Sequence, residues 1–167
     1  EFRRVLFRSL THPKQASWIT PLSLEDDLAQ LSNCDLVIEA IIEDIDAKQA
    51  LFKKITPHLN SEVILATNTS SLSVNQIGEK LGKFKSRFCG IHFFNPPRYM
   101  PLIELISTEE TDGEILDNLE GYFTSELGKN ILYAKDESGF IANRIGVFSI
   151  VACIHHAQRL SLGFDTV

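Results

Sequence analysis

The sequence predicts an α/β fold in which helices cover a mostly parallel sheet. From Asp35 onward, short apolar runs alternate with longer amphipathic ones, as in successive βαβ units. The chain has 167 residues, 44% of them hydrophobic and 23% charged, which is enough for one globular domain with a buried core. A long, unusually apolar helical segment at the carboxyl end indicates the start of a second, helical domain.

Five apolar runs have the length of strands, and the first of them is predicted to be a buried strand. They cover residues 35–41, 63–70, 87–95, 101–107 and 130–136. Between them, residues 44–59 predict a helix with Ala47, Ala50, Leu51 and Ile55 on its apolar face and Lys48 elsewhere, and residues 74–82 predict a short helix.

Two later helices have recognisable end signals. Thr111 and Glu114 are spaced as a capping box, Gly128 suits a left-handed residue after the helix, and Ile115, Leu116, Leu119, Tyr122 and Phe123 keep helical spacing between them. The last helix is expected to begin at Ser138, with Ile141, Ile145, Phe148 and Ala152 on one side.

Composition limits the class of partner. Sixteen basic and twenty-two acidic residues give a net charge of -6 without a basic cluster, which argues against nucleic acid. The apolar run at residues 145–154 is about half of the roughly 20 residues that a membrane span needs. Cys34, Cys89 and Cys153 lack the number and spacing of a disulfide framework or a zinc site, so we expect a bacterial cytoplasmic protein.

A histidine and a glutamate lie in the apolar stretch CGIHFFNPPRYMPLIELI. Pro96 and Pro97 force a turn between two strands, and His92 and Glu104 are each six residues from Arg98. In an antiparallel pair folded about Arg98 they would lie opposite each other, so the spacing predicts a His92–Glu104 contact. Such a pair can hold a histidine as a proton acceptor, although a structural histidine beside a solvated carboxylate has the same spacing.

Other polar residues follow predicted strands. The ATNTSSL segment, which contains Ser70, follows the second strand, where open α/β sheets bind ligands, but Ser, Thr and Asn are also common turn residues. Glu43 and Lys48 lie at the preceding strand-to-helix junction, where an acidic residue also suits the helix dipole. Asn143 lies in an apolar helix and therefore needs a polar partner. His155 and His156 are adjacent to each other in the sequence, so on a helix their side chains point too far apart to share a metal.

Four motifs occur in order: DLVIEAIIEDIDAKQALF, ILATNTSSL, GIHFFNPPRYMPLIELI and DESGFIANR. Together they resemble the NAD-dependent L-3-hydroxyacyl-CoA dehydrogenase family over residues 10–167. The resemblance implies a Rossmann-like doubly wound sheet with antiparallel last strands, an acyl-CoA substrate, NAD as cofactor and no metal. It further implies oxidation of (S)-3-hydroxyacyl-CoA to 3-oxoacyl-CoA in fatty acid β-oxidation.

Roles carry over by position. The resemblance implies that His92 is the catalytic base, Glu104 its orienting carboxylate, and Ser70 and Asn143 catalytic residues that also bind substrate. Glu43, Lys48, Ser70 and Asn95 fall at positions where the family contacts the cofactor.

This sequence also departs from the family pattern. It contains no G-x-G string, so the G-x-G-x-x-G turn that holds the pyrophosphate is missing, together with the first βαβ unit. We therefore expect a fragment that is inactive by itself. Residues 10–136 would be a truncated dinucleotide-binding domain, and residues 137–167 the start of a truncated helical domain.

Residues 1–9, EFRRVLFRS, fit neither helix nor strand periodicity and match the translation of a common sequencing adapter, so we interpret them as non-native. The resemblance extends to long family members fused to an enoyl-CoA hydratase-like portion and implies that the parent protein is a homodimer or larger assembly. Two alternatives stay open: a non-catalytic Rossmann-like remnant that binds a partner, and a Ser70–His92–Glu104 acyl-CoA hydrolase.

Overall fold

The computed structural model describes residues 12–163, and our interpretation of residues 1–9 lies outside this range. The strands of the described chain are β1 (Leu36–Glu39), β2 (Ile64–Thr67), β3 (Phe88–Phe93), β4 (Leu102–Ser107) and β5 (Asn130–Ala134). They form one sheet in the order β1-β2-β3-β4-β5. The first three strands are parallel, while β4 and β5 run the other way and are parallel to each other.

The helices of the described chain are α1 (Ile45–Ile55), α2 (Val74–Gly78), α3 (Gly113–Ser125) and α4 (Ala142–Arg159). Short 3-10 turns lie at Pro13–Trp18, Leu28–Asn33, Thr56–His58 and Gly82–Arg87. In the part of the chain that the structure describes, none of these helices combines the length and the apolar character that crossing a membrane requires.

The sheet is covered on both faces, because successive strand side chains point to opposite sides. Phe88 and Ile106 pack with Phe52 of α1 and Ile77 of α2 in one apolar cluster. The alternate strand residues pack with α3 in a second cluster: Cys89, Ile91, Ile103, Leu105, Ile115, Leu119 and Phe123. The α/β doubly wound architecture predicted from the sequence is therefore confirmed.

Two predictions near the first strand are wrong in detail. Ile38 is 37% exposed in β1, which lies at the edge of the sheet, whereas Glu39 is buried. Helix α1 correspondingly buries Lys48, Phe52 and Ile55, while Ala50 is exposed. The reason is a buried ion pair between Lys48 and Glu39, which turns the lysine toward the sheet instead of solvent.

The start signals of α3 and α4 also differ from those predicted. Asp112, not Thr111, caps α3 by accepting a hydrogen bond from the Glu114 amide, because the Thr111 hydroxyl donates to the Phe88 carbonyl. Helix α4 begins at Ala142 and not at Ser138. Gly139 and Phe140 have φ angles of 74° and 46°, and this left-handed backbone cannot continue a right-handed helix.

Candidate active site

The predicted His92–Glu104 contact is present. β3 and β4 are antiparallel with these two residues opposite each other, as the Pro96–Pro97 turn requires. His92 Nδ1 lies 2.7 Å from Glu104 Oε2. His92 is 4% exposed and Glu104 is completely buried, so water does not compete for the contact.

Hydrogen bonding around Glu104 determines which nitrogen of the His92 imidazole contacts the carboxylate. Glu104 Oε1 accepts from the backbone amides of Ile141 at 3.0 Å and Ala142 at 2.9 Å. Because Oε1 is occupied by two amide donors and Oε2 faces Nδ1, the ring contacts the carboxylate through Nδ1 and leaves Nε2 as the nitrogen available for proton transfer. The rings of Phe94 and Phe140, with centroids 4.6 and 5.5 Å from that of His92, hold the imidazole in an apolar setting.

Glu43 organises the loop that carries Ser70. Its Oε1 accepts hydrogen bonds from the Thr69 hydroxyl at 2.6 Å, the Ser70 amide at 2.8 Å and the Ser71 amide at 3.1 Å. Partial burial raises the pKa of Glu43, but these hydrogen bonds and the charge of Lys48 outweigh that effect and leave the pKa below its usual value. The Ser70 side chain remains exposed on a loop whose backbone is held by a carboxylate.

The Lys48 ammonium lies between two carboxylates. Nζ is 2.7 Å from Glu39 Oε1 and 3.5 Å from Glu43 Oε2, and the Lys48 side chain is only 1% exposed. Glu39 Oε2 also accepts from the Thr67 hydroxyl at 2.6 Å. The structure therefore places Lys48 where it acts on Glu43 and on the β1–β2 strand ends, while its predicted contact with a cofactor stays a prediction.

Sequence reasoning did not select Glu39 or Thr67. A signal was available, because an acidic residue inside the apolar run DLVIEAI must either reach solvent or find a partner. The partner, Lys48, lies nine positions further on, in a helix whose apolar face had been assigned without it. That contact could not be derived before the packing of α1 on β1 was known.

Ser70 and Asn143 line the same cleft, of about 710 Å³, together with Ser71, Gly139 and Phe148. Asn143 is half-buried in the first turn of α4, so polar residues from two distant segments line the cleft. Asn95 is exposed just after β3, where its peptide bond to Pro96 is cis. Six of the seven predicted site residues thus form three groups, which are the buried His92–Glu104 pair, the Glu43–Lys48–Ser70 loop network and the Asn143 helix start, and Asn95 lies apart from them after β3.

The arrangement is suited to proton transfer. It offers an oriented imidazole at His92, hydroxyl and amide side chains at Ser70 and Asn143 on an open cleft, and carboxylates already engaged in hydrogen bonds. Within residues 12–163, no group of three His, Cys, Asp or Glu side chains is arranged to hold a metal ion.

Comparison with known proteins agrees with this geometry. Residues 3–137 match the family model described as "3-hydroxyacyl-CoA dehydrogenase, NAD binding domain". A putative fatty acid oxidation complex trifunctional enzyme of Rickettsia prowazekii is 41% identical over 95% of this chain, which covers 22% of that protein. A probable 3-hydroxyacyl-CoA dehydrogenase of Deinococcus radiodurans is also 41% identical, over 84% of this chain and 41% of its own length.

Among solved structures, 3-hydroxybutyryl-CoA dehydrogenase of Escherichia coli superposes with a TM-score of 0.73 at 33% identity. The match covers 86% of this chain and 30% of the E. coli chain. Our chain therefore spans less than half the length of these relatives. The family model, the relatives and the fold agree, and the chain belongs to the 3-hydroxyacyl-CoA dehydrogenase family, whose NAD-binding domain model it matches.

Proposed function

We propose that this chain is part of an enzyme that oxidises (S)-3-hydroxyacyl-CoA with NAD⁺ to 3-oxoacyl-CoA and NADH in fatty acid β-oxidation. The observation that carries the proposal is the buried His92–Glu104 pair with Nδ1 and Oε2 2.7 Å apart. Alcohol oxidation needs a group that takes the hydroxyl proton, and a histidine oriented by a carboxylate is such a group.

In this proposal His92 Nε2 accepts the proton of the substrate 3-hydroxyl, and Glu104 stabilises the imidazolium that forms. Bound NAD⁺ would supply the hydride acceptor for the oxidation at C3. In the reverse direction, Ser70 and Asn143 donate hydrogen bonds to the 3-keto oxygen as negative charge develops there. Their shared cleft supports this assignment.

The residues of this chain fit the reacting end of the cofactor. Glu43 and exposed Ser70 lie just after β1 and β2, and exposed Asn95 lies just after β3, where parallel strands present their carboxyl ends to a ligand. Glu43, Ser70 and Asn95 would hold the cofactor there, and Lys48, which is buried, would support the site through its contact with Glu43. The 167 residues contain no G-x-G turn for the pyrophosphate of the cofactor. We therefore propose that this chain by itself does not catalyse the reaction.

We further propose that the active protein, called here the intact enzyme, is a cytoplasmic, homodimeric or larger assembly. The coverage of 22% of a relative named as a trifunctional enzyme supports a longer parent with a further, hydratase-like portion. Free thiols at Cys34, Cys89 and Cys153 support a reducing compartment. Within this parent, residues 10–136 would complete a dinucleotide-binding domain and residues 137–167 would begin a helical one.

The hydrolase alternative requires a Ser70–His92 hydrogen bond. Among the hydrogen bonds of residues 12–163, His92 is joined to Glu104 and the backbone of Ser70 to Glu43, and no bond links the Ser70 hydroxyl to His92. The geometry therefore favours the dehydrogenase, and the non-catalytic alternative is left to experiment.

The experiment is an NADH-oxidation assay with acetoacetyl-CoA on two proteins. The first is the 167-residue chain, and the second is the protein encoded at its genomic locus, read across the codons for Ser9 and Leu10. We expect turnover by the encoded protein and none by the chain. A folded encoded protein that binds NADH without oxidising it would favour the non-catalytic alternative, and hydrolysis of acetoacetyl-CoA without NADH would favour the hydrolase.

A further inference from the structure

Glu104 connects two structural elements in addition to orienting His92. Its Oε2 contacts His92 on β3, while its Oε1 accepts from Ile141 and Ala142 at 3.0 and 2.9 Å. These two amides lie thirty-seven and thirty-eight residues further along the chain, where α4 begins. One oxygen of this completely buried carboxylate thus contacts the candidate base, and the other accepts from the start of a helix.

Helix α4 has no local cap. Its N-cap residue is Ile141, with φ -105° and ψ -58°, and no capping side-chain hydrogen bond comes from this residue. The first amides of a helix lack partners within the helix, and the positive end of the helix dipole favours an anion. Glu104, on β4, therefore caps the start of α4 in place of a Ser or Asp side chain at position 141.

The turn before α4 is shaped to make this contact. Gly139 and Phe140 both have left-handed backbone angles, which is rare for a bulky residue such as phenylalanine. Phe140 is nevertheless 2% exposed, with its ring 5.5 Å from that of His92. Packing of Phe140 on the imidazole thus stabilises a turn that aims two amides at Glu104.

The same turn leads directly to Asn143. We infer that Glu104 is a positioning residue for α4 as well as for His92, so that one carboxylate sets the candidate base and Asn143 relative to each other. The catalytic meaning of this inference rests on the dehydrogenase function proposed above. Its structural content, the Glu104–α4 contact, is testable without any activity.

The first test is hydrogen exchange of the Ile141 and Ala142 amides in the 167-residue chain. Glu104→Leu removes both carboxylate oxygens and leaves these two amides without their acceptor, so their exchange should accelerate about tenfold to a hundredfold. His92→Gln is the matched control, because it removes the imidazole and leaves the carboxylate. Its Ile141 and Ala142 amides should retain their protection.

Equal acceleration in both variants would overturn the inference, as would unchanged exchange in Glu104→Leu. Should Glu104→Leu fail to fold, the unaltered chain supplies the answer by NMR. Scalar couplings across the hydrogen bonds should link the Ile141 and Ala142 amide nitrogens to the Glu104 carboxyl carbon, and their absence would refute the contact.

The second test uses kinetics of the intact enzyme to separate positioning from general structural damage. His92→Gln should lower kcat and leave KM for the acyl-CoA nearly unchanged. Glu104→Leu should lower kcat and also raise KM, because Asn143 is displaced from the cleft. A Glu104→Leu enzyme with unchanged KM would refute the link to Asn143, even if its Ile141 and Ala142 amides had lost their protection.

Discussion

At the scale of single residues, the acidic groups around the site are satisfied by neighbours from distant parts of the chain. Glu39 is paired with Lys48 and Thr67, and Glu43 with the Thr69–Ser71 loop. Removing the Glu39 carboxylate from water is costly, and the cost is recovered only while its partners are in place. The strand ends of β1 and β2 are consequently held by charge and hydrogen bonding together.

The buried pair makes a direct prediction for Lys48→Met. The substitution leaves Glu39 buried without its cation, and the free energy of unfolding should fall by about 3–5 kcal/mol. Urea denaturation measures this change. Lys53→Met, at an exposed position of the same helix, is the control and should stay within about 0.5 kcal/mol of the parent.

Adding Glu39→Gln to Lys48→Met removes the orphaned charge and should restore part of the lost stability. Equal stability of the Lys48→Met and Lys53→Met variants would mean that the pair is not buried as described.

At the scale of elements, the termini of α3 follow from single residues. Gly128 has a φ of 61° and follows the helix, and the Lys129 amide donates back to the Phe123 carbonyl at 2.9 Å. A left-handed residue placed just after the helix lets the chain turn back toward β5.

Two glycine substitutions on this helix should have opposite signs. Gly128→Ala forces an alanine into a left-handed backbone conformation and should lower the free energy of unfolding by about 1–2 kcal/mol. Gly121→Ala, in the middle of α3 with open space around it, should raise it by about 0.5–1 kcal/mol. Thermal unfolding of the two variants is the measurement, and a Gly128→Ala variant as stable as the parent would contradict the described helix end.

The sequence predicted elements better than their ends. Short apolar runs located all five strands of the described chain. The Pro96–Pro97 turn, with His92 and Glu104 equally spaced from Arg98, predicted the His92–Glu104 register. The α3 cap was missed because the Thr111 hydroxyl is taken by the Phe88 carbonyl, a contact that depends on tertiary packing. The α4 start was missed because Phe140 is left-handed, which nothing in its own side chain predicts.

At the scale of the whole molecule, Asp136 ties the end of the sheet to the helix layer. Its carboxylate accepts from the Ser73 hydroxyl, the Val74 amide, and both the backbone and side-chain amides of Asn75, at 2.7–2.9 Å. Burial raises the pKa of Asp136, but these four hydrogen bonds outweigh it and hold the pKa below its usual value. The Asp136 carboxylate thereby links the chain just after β5 to the start of α2.

This anchor predicts a pH-dependent contribution to stability. Since the pKa is lower in the folded state, the contribution is complete above the unfolded value of about 3.9 and is lost as the pH falls through the folded value. Asp136→Asn should cost about 1–3 kcal/mol at pH 7, and its difference from the parent should shrink below about pH 4. Denaturation curves from pH 7 to 2.5 measure this.

Asp26→Asn, at an exposed position, is the control and should show no such pH-dependent difference. A difference between Asp136→Asn and the parent that stays constant down to pH 2.5 would contradict the role assigned to the carboxylate.

The central claim is that His92, held by Glu104, accepts the proton of a 3-hydroxyacyl-CoA. The most direct measurement is kcat for oxidation of (S)-3-hydroxybutyryl-CoA by the intact enzyme and by its His92→Gln variant, with folding verified by circular dichroism. We predict a decrease in kcat of about 10²–10⁴-fold. A folded variant whose kcat stays within about twofold of the parent would contradict the claim.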